Sequence, residues 1–149
     1  MCWPMIERHV PMQNYHLTLA FLGEINSAKL QAITESLDER ALGASFELCL
    51  NTVGYWPDSR VLWLGSSEPC EPIDKLAQTC KHIANRAGVR VSGKSFKPHI
   101  TLARKPVVPP PAPLLEPDFT LRCDALQLYQ SILDRDGARY IELESWSLH

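Results

Sequence analysis

No run of apolar residues approaches the roughly 20 that a helix needs to cross a bilayer, so nothing in this sequence reads as a membrane span. The opening Met1-Cys-Trp-Pro-Met-Ile-Glu-Arg8 also lacks the uninterrupted apolar core of a secretory leader. An excess of charge is missing too. Fifteen Lys and Arg stand against 17 Asp and Glu, a formal charge of −2, so no global basic field draws the protein onto long nucleic acid and any contact with RNA is local. The five cysteines, Cys2, Cys49, Cys70, Cys80 and Cys123, are odd in number and show no CxxC spacing. That excludes a disulfide framework and a zinc ribbon, and favours a reducing cytoplasm. At 149 residues the chain is too short for a TIM barrel and fits one domain. Its 45% hydrophobic and 21% charged residues match a soluble protein with an ordinary core.

Residues 15–22 are rich in β-formers up to Gly23 and predict a strand. Asn26 or Ser27 then caps a helix whose Leu30, Ile33, Leu37 and Ala41 recur at helical spacing until Gly43. Residues 46–54 and 60–65 predict an antiparallel hairpin around Tyr55-Trp-Pro-Asp-Ser59. A second helix starts near Pro72, carries Ile73, Leu76, Ala77, Cys80, Ile83 and Ala84 on one face, and stops at Gly88. Residues 89–92 predict a brief strand and residues 99–104 another, bounded by Pro98 and Pro106. A proline-rich connector covers residues 105–117. Two long strands at about 119–128 and 139–148 close the chain around Asp134-Arg-Asp-Gly137. Helices interspersed with antiparallel strands make this an α+β fold, and the repeated plan suggests two pseudo-symmetric lobes around a central groove.

The chemistry lies in a repeat. His16-Leu-Thr-Leu-Ala20 and His99-Ile-Thr-Leu-Ala103 differ only at Leu17 against Ile100, in a chain with five histidines. On a strand His16 projects with Thr18, and His99 with Thr101, while Leu17, Leu19, Ile100 and Leu102 face the other way toward the core beneath the helices. Two such strands side by side gather two imidazoles and two hydroxyls at one phosphate-sized point. In-line displacement at a phosphodiester needs a base on the attacking water and an acid on the departing oxygen. A pair of histidines serves both, since an unperturbed imidazole titrates near pH 6.5, and the threonine hydroxyls can donate to the non-bridging oxygens. Room for the phosphorane then requires the nearer imidazole nitrogens to be roughly 5–9 Å apart.

At these residues the chain resembles the two-histidine phosphoesterases, and among them the bacterial RNA 2′,3′-cyclic phosphodiesterases, also called 2′-5′ RNA ligases. The resemblance extends through Tyr15-His-Leu-Thr-Leu-Ala-Phe-Leu-Gly-Glu24, Arg60-Val-Leu-Trp-Leu-Gly65, Phe96-Lys-Pro-His-Ile-Thr-Leu-Ala-Arg104 and Tyr140-Ile-Glu-Leu-Glu-Ser-Trp146. It implies that His16 donates the proton to the leaving oxygen and His99 accepts the proton of water, giving a 2′-phosphate from the 2′,3′-cyclic end of RNA, with 2′-5′ ligation as the reverse capacity. RNA ends or cyclic nucleotides are then the partners, and neither cofactor nor metal is called for. Family members usually carry a strand and helix ahead of the first motif; here fifteen residues precede His16, so either the start codon is placed late, the preceding segment has been cut away, or residues 1–11 partly replace it.

Phe21 and Arg104 hold the same place in the two motifs and are candidates to sandwich a base by stacking and cation–π contact. A core Phe and a solvated Arg are the plainer alternative. Lys97 reads as a solvated loop lysine, His9, His82 and His149 lack ligand spacing, and Trp56, Trp63 and Trp146 read as core or hairpin packing. A non-catalytic RNA-end binding module would use the same groove without turnover. A metal hydrolase is disfavoured because neither motif has clustered Asp or Glu beside it. The sequence sets no oligomeric state.

Overall fold

The computed structural model describes residues 8–149. A single 3-10 turn, Met12–Asn14, precedes helix α1 (Ser27–Asp38), strands β1 (Phe46–Leu50), β2 (Thr52–Trp56) and β3 (Val61–Gly65), helix α2 (Glu71–Arg86), and strands β4 (His99–Arg104), β5 (Phe119–Cys123), β6 (Ala125–Asp134) and β7 (Gly137–Ser147). The fold is α+β with antiparallel pairing in the β2-β3-β4 sheet and in the β6-β7 hairpin, and β1 lies beside β5. By contacts the chain forms two compact units. One comprises the stretch ending at Thr18 with Leu48–Pro69 and Lys97–Leu121; the other comprises Leu19–Glu47, Cys70–Phe96 and Arg122–His149.

The second unit contains both helices. The Asn26 side chain accepts the Lys29 backbone N–H at 2.9 Å, which satisfies one of the orphan donors at the start of α1. Helix α2 has Pro72 in its first turn, with Glu71 and Asp74 at its positive end and Arg86 in its last turn. It ends at Gly88, whose φ of +80° lets the Val89 N–H turn back to the Ala84 carbonyl at 2.9 Å. Ile33 and Leu37 of α1, Ile83 and Ala84 of α2, Val89 and Leu126 form the core of this unit. Each larger aliphatic chain there contributes about 1.5–3 kcal/mol by leaving water. Trp146 packs against that core while its indole N–H donates to Asp38 Oδ1 at 2.8 Å.

The first unit is built on the β2-β3-β4 sheet. Leu62 and Leu64 of β3 and Ile100 of β4 point to one face and are buried there. The described part of the N-terminal stretch runs antiparallel along the far side of β4. Val10 N–H donates to the Leu102 carbonyl at 2.9 Å, His9 bridges Ala103, and after the 3-10 turn Leu17 bridges Ile100.

Several boundaries depart from the sequence expectation. Residues 15–22 form no continuous strand: pairing is limited to Leu17, because beyond it Leu19 and Leu22 pack on the helical core of the second unit. Burial there overrides β-propensity. Residues 89–92 are likewise not a strand, although Val89 is buried. The stretch 46–54 divides at Asn51, whose side chain bonds Ser67 Oγ and Ser67 N–H, both at 2.9 Å. The stretch 119–128 divides at Asp124, whose carbonyl accepts Leu148 N–H at 2.8 Å. α1 stops at Asp38 rather than reaching Ala41. Cys2 and the rest of residues 1–7 lie outside the described residues; of the stretch 1–11, His9 and Val10 pair along β4.

Candidate active site

His99 opens β4 and pairs across the sheet with Gly65, and Thr101 pairs with Trp63. Both therefore stand on the face opposite Ile100 and Leu64. On the other side of β4 the antiparallel bridge joins Leu17 to Ile100. Carrying that register one residue either way sets His16 across from Thr101 and Thr18 across from His99, all four on the face that Leu17 and Ile100 avoid. His16 and His99 then form a diagonal pair, for which backbone spacing is roughly 7–8 Å. His16, His99 and Thr101 are half-buried and Thr18 is exposed.

Both imidazoles are held in one way. His16 Nδ1 lies 2.6 Å from the carbonyl of Asn14, and His99 Nδ1 lies 2.7 Å from the carbonyl of Lys97, in each case two residues back along the chain. A carbonyl only accepts, so Nδ1 is the protonated nitrogen in both rings, and a neutral ring carries its lone pair on Nε2. Each histidine is thus presented as a base through Nε2 when neutral and as an acid through Nε2 when charged. The sequence could not show this, because the partner is backbone and any residue type supplies it.

Arg104 reaches the same face by an irregularity. The β3-β4 register shifts between Leu62 and Trp63, so Leu62 pairs with Ala103 and Val61 with Arg104. Strict alternation from His99 would turn Arg104 toward the core; the extra residue at Leu102 turns it back to the histidine side. Its side chain is exposed. Phe21 belongs to the second unit, where its ring is 76% exposed, so the plainer reading of a core phenylalanine does not hold. Lys97 is exposed, as expected of a loop lysine, and serves His99 through its carbonyl rather than its ammonium. Among the described residues no three His, Cys, Asp or Glu side chains gather where one metal ion would meet them.

The sequence profile of the 2'-5' RNA ligase superfamily matches residues 6–135. An RNA 2′,3′-cyclic phosphodiesterase of Escherichia coli strain K12 is 36% identical over 149 residues, covering 97% of this chain and 82% of its own. The chain belongs to the 2'-5' RNA ligase superfamily. Solved structures agree with that membership. A crystal structure of a phosphoesterase superposes with a TM-score of 0.90 at 34% identity, covering 99% of this chain and 84% of its own. E. coli LigT complexed with 3'-AMP superposes at 0.85 with 34% identity, over 99% and 84% of the two chains. The protein is thereby an enzyme of a cyclic phosphodiesterase family, a hydrolase.

One neighbour of the superfamily motif went unassigned in the sequence. Trp56 and Trp63 do pack in the hairpin as expected, their ring centroids 5.2 Å apart, but Trp56 also meets the His99 ring edge-on at 4.7 Å and 76°. The signal available was the odd-even spacing of Gly54 and Trp56, which puts both on the histidine face once Gly54 is paired with Trp63.

Proposed function

We propose that this protein hydrolyses the 2′,3′-cyclic phosphate at RNA ends to a 2′-phosphate, with His16 as general acid and His99 as general base. Water attacks phosphorus while His99 Nε2 takes its proton, and the bond from phosphorus to the 3′-oxygen breaks as His16 Nε2 supplies a proton to that oxygen. The hydroxyls of Thr18 and Thr101 donate to the non-bridging oxygens, where charge gathers. The strained five-membered ring makes a metal unnecessary. A 5′-hydroxyl in place of water gives a 2′-5′ linkage by the same proton transfers, which is the ligation reading. Arg104 offers its guanidinium to the nucleotide from the histidine face, and the exposed Phe21 ring offers a stacking surface.

The observation that supports the reading is the Leu17 to Ile100 bridge, whose register is in keeping with two identically held imidazoles and two hydroxyls sharing one face. The name of the E. coli relative and the 3'-AMP bound by E. coli LigT support the substrate class. We place the activity in the cytoplasm, in keeping with the unpaired cysteine count; no helix among the described residues is long and apolar enough to cross a membrane. The test is incubation of the purified protein with a 2′,3′-cyclic mononucleotide, with and without a chelator, followed by phosphorus NMR. Chelator-resistant formation of the 2′-monophosphate is expected. Binding without turnover would instead make this face an RNA-end binding module, and loss of turnover with chelator would restore a metal mechanism.

A further inference from the structure

Gly54 and Gly65 clear a space on the sheet that Trp63 fills. A Cβ at Gly54 would stand 2.1 Å from Trp63 Cζ2, and one at Gly65 would stand 3.0 Å from Cζ3 of the same ring. The indole therefore lies flat across the two strands, and its Nε1 is fully buried with no hydrogen-bond partner. Trp56 covers it at 5.2 Å and then meets His99 edge-on at 4.7 Å, a near-perpendicular geometry that aromatic pairs prefer. The His99 ring is thus restrained twice. Its Nδ1 is tied to the Lys97 carbonyl at 2.7 Å, and its flank is set against Trp56, on a base that Trp63 fixes to the sheet. One hydrogen bond still lets a ring rock about its own axis; a packed flank removes that freedom. An imidazole aimed this way keeps Nε2 pointed where a reacting atom must sit, and small errors in that aim are expensive in rate.

We propose that Trp56 is a positioning residue for His99, holding the imidazole in the orientation from which Nε2 exchanges the proton of water. Trp56 touches the histidine and not the reacting atoms, so its loss lowers the chemical step and leaves substrate binding nearly unchanged. An aromatic ring of smaller size retains the flank, whereas an aliphatic side chain does not. The proposal rests on the reading of His99 as general base. It is therefore tested by two measurements, of which one does not need activity.

The experiment compares the full chain with Trp56→Ala, Trp56→Leu and Trp56→Phe. In steady-state turnover of a 2′,3′-cyclic mononucleotide, Trp56→Ala and Trp56→Leu are expected to lower kcat by about tenfold or more with KM within about twofold, and Trp56→Phe to restore most of the loss. In nitrogen-15 NMR of the imidazoles, the Nδ1–H tautomer of His99 is expected to give way to a tautomer mixture in Trp56→Ala and Trp56→Leu but not in Trp56→Phe, with the His16 signals unmoved. Raised KM at unchanged kcat would make Trp56 a substrate platform and overturn the proposal. So would His99 signals identical across all four proteins. If the wild-type protein turns over no cyclic nucleotide, the functional reading fails while the NMR comparison still decides the positioning role. If Trp56→Ala does not fold, the Leu and Phe variants carry the same contrast.

Discussion

Leu17 bridges Ile100 across two antiparallel segments, and that one pairing brings His16 opposite Thr101 and Thr18 opposite His99. In that register the two copies of the repeat meet crosswise, each histidine position opposite the threonine position of the other copy. The proposed acid, base and two donors for the non-bridging oxygens all depend on that single register.

That crosswise arrangement predicts that the two threonines act alike. Thr18→Val and Thr101→Val each remove a donor to the charged phosphoryl oxygens, and each should lower kcat/KM about 10–100-fold, as expected for a hydrogen bond to a charged group. Thr→Ser at either position should stay within a few-fold of wild type. Parallel kinetic series on the four variants check this, and a Val variant with full activity would remove that hydroxyl from the site.

The close approach of the Trp63 ring to Gly54 predicts a steric effect at a residue far from any motif in sequence. Gly54→Ala forces Trp63 off the sheet, since its Cβ would overlap Cζ2 at 2.1 Å. Overpacking of this kind costs about 1–3 kcal/mol. Denaturant unfolding should show that loss, and kcat should fall with it because Trp56 packs on the displaced ring and in turn flanks His99. A variant as stable and as active as wild type would contradict the packing described.

Much of this was legible beforehand, and the reasons for the remainder are physical. The repeat of His16-Leu-Thr and His99-Ile-Thr points to the candidate site because imidazole and hydroxyl at alternate positions of a strand share a face whatever the surroundings. The caps at Asn26 and Gly88 were legible because they are local. Residues 15–22 misled because the apolar chains of Leu19 and Leu22 look alike whether they pair in a sheet or pack on a helical core. The turn of Arg104 onto the histidine face depends on a bulge that no single residue type encodes. Trp56 reads from its sequence neighbourhood as hairpin packing, which it provides, and its contact with His99 follows only from knowing that β3 separates β2 from β4.

The thiols predict a difference in chemistry. Cys80 packs against the helical core, and burial pushes its pKa up to about 11, while Cys49 is exposed. Between about pH 9 and 11 the unfolded chain has lost the Cys80 proton and the native chain keeps it, so this group favours unfolding as pH rises through that window. Below pH 9 it has no such effect. Iodoacetamide labelling followed by mass spectrometry at pH 8.5 should modify Cys49 well before Cys80. In addition, the stability of Cys80→Ala relative to wild type should rise between pH 9 and 11. Equal labelling rates would show that Cys80 is not buried in solution.

The most direct test of the whole account is single-turnover hydrolysis of a 2′,3′-cyclic mononucleotide in the presence of chelator by wild type, His16→Ala and His99→Ala, each verified as folded by circular dichroism. General acid and general base terms each contribute about 10²–10⁴-fold, so either substitution should lower the rate by at least about a hundredfold with the 2′-monophosphate as the wild-type product. A near-normal rate in either variant would contradict the account.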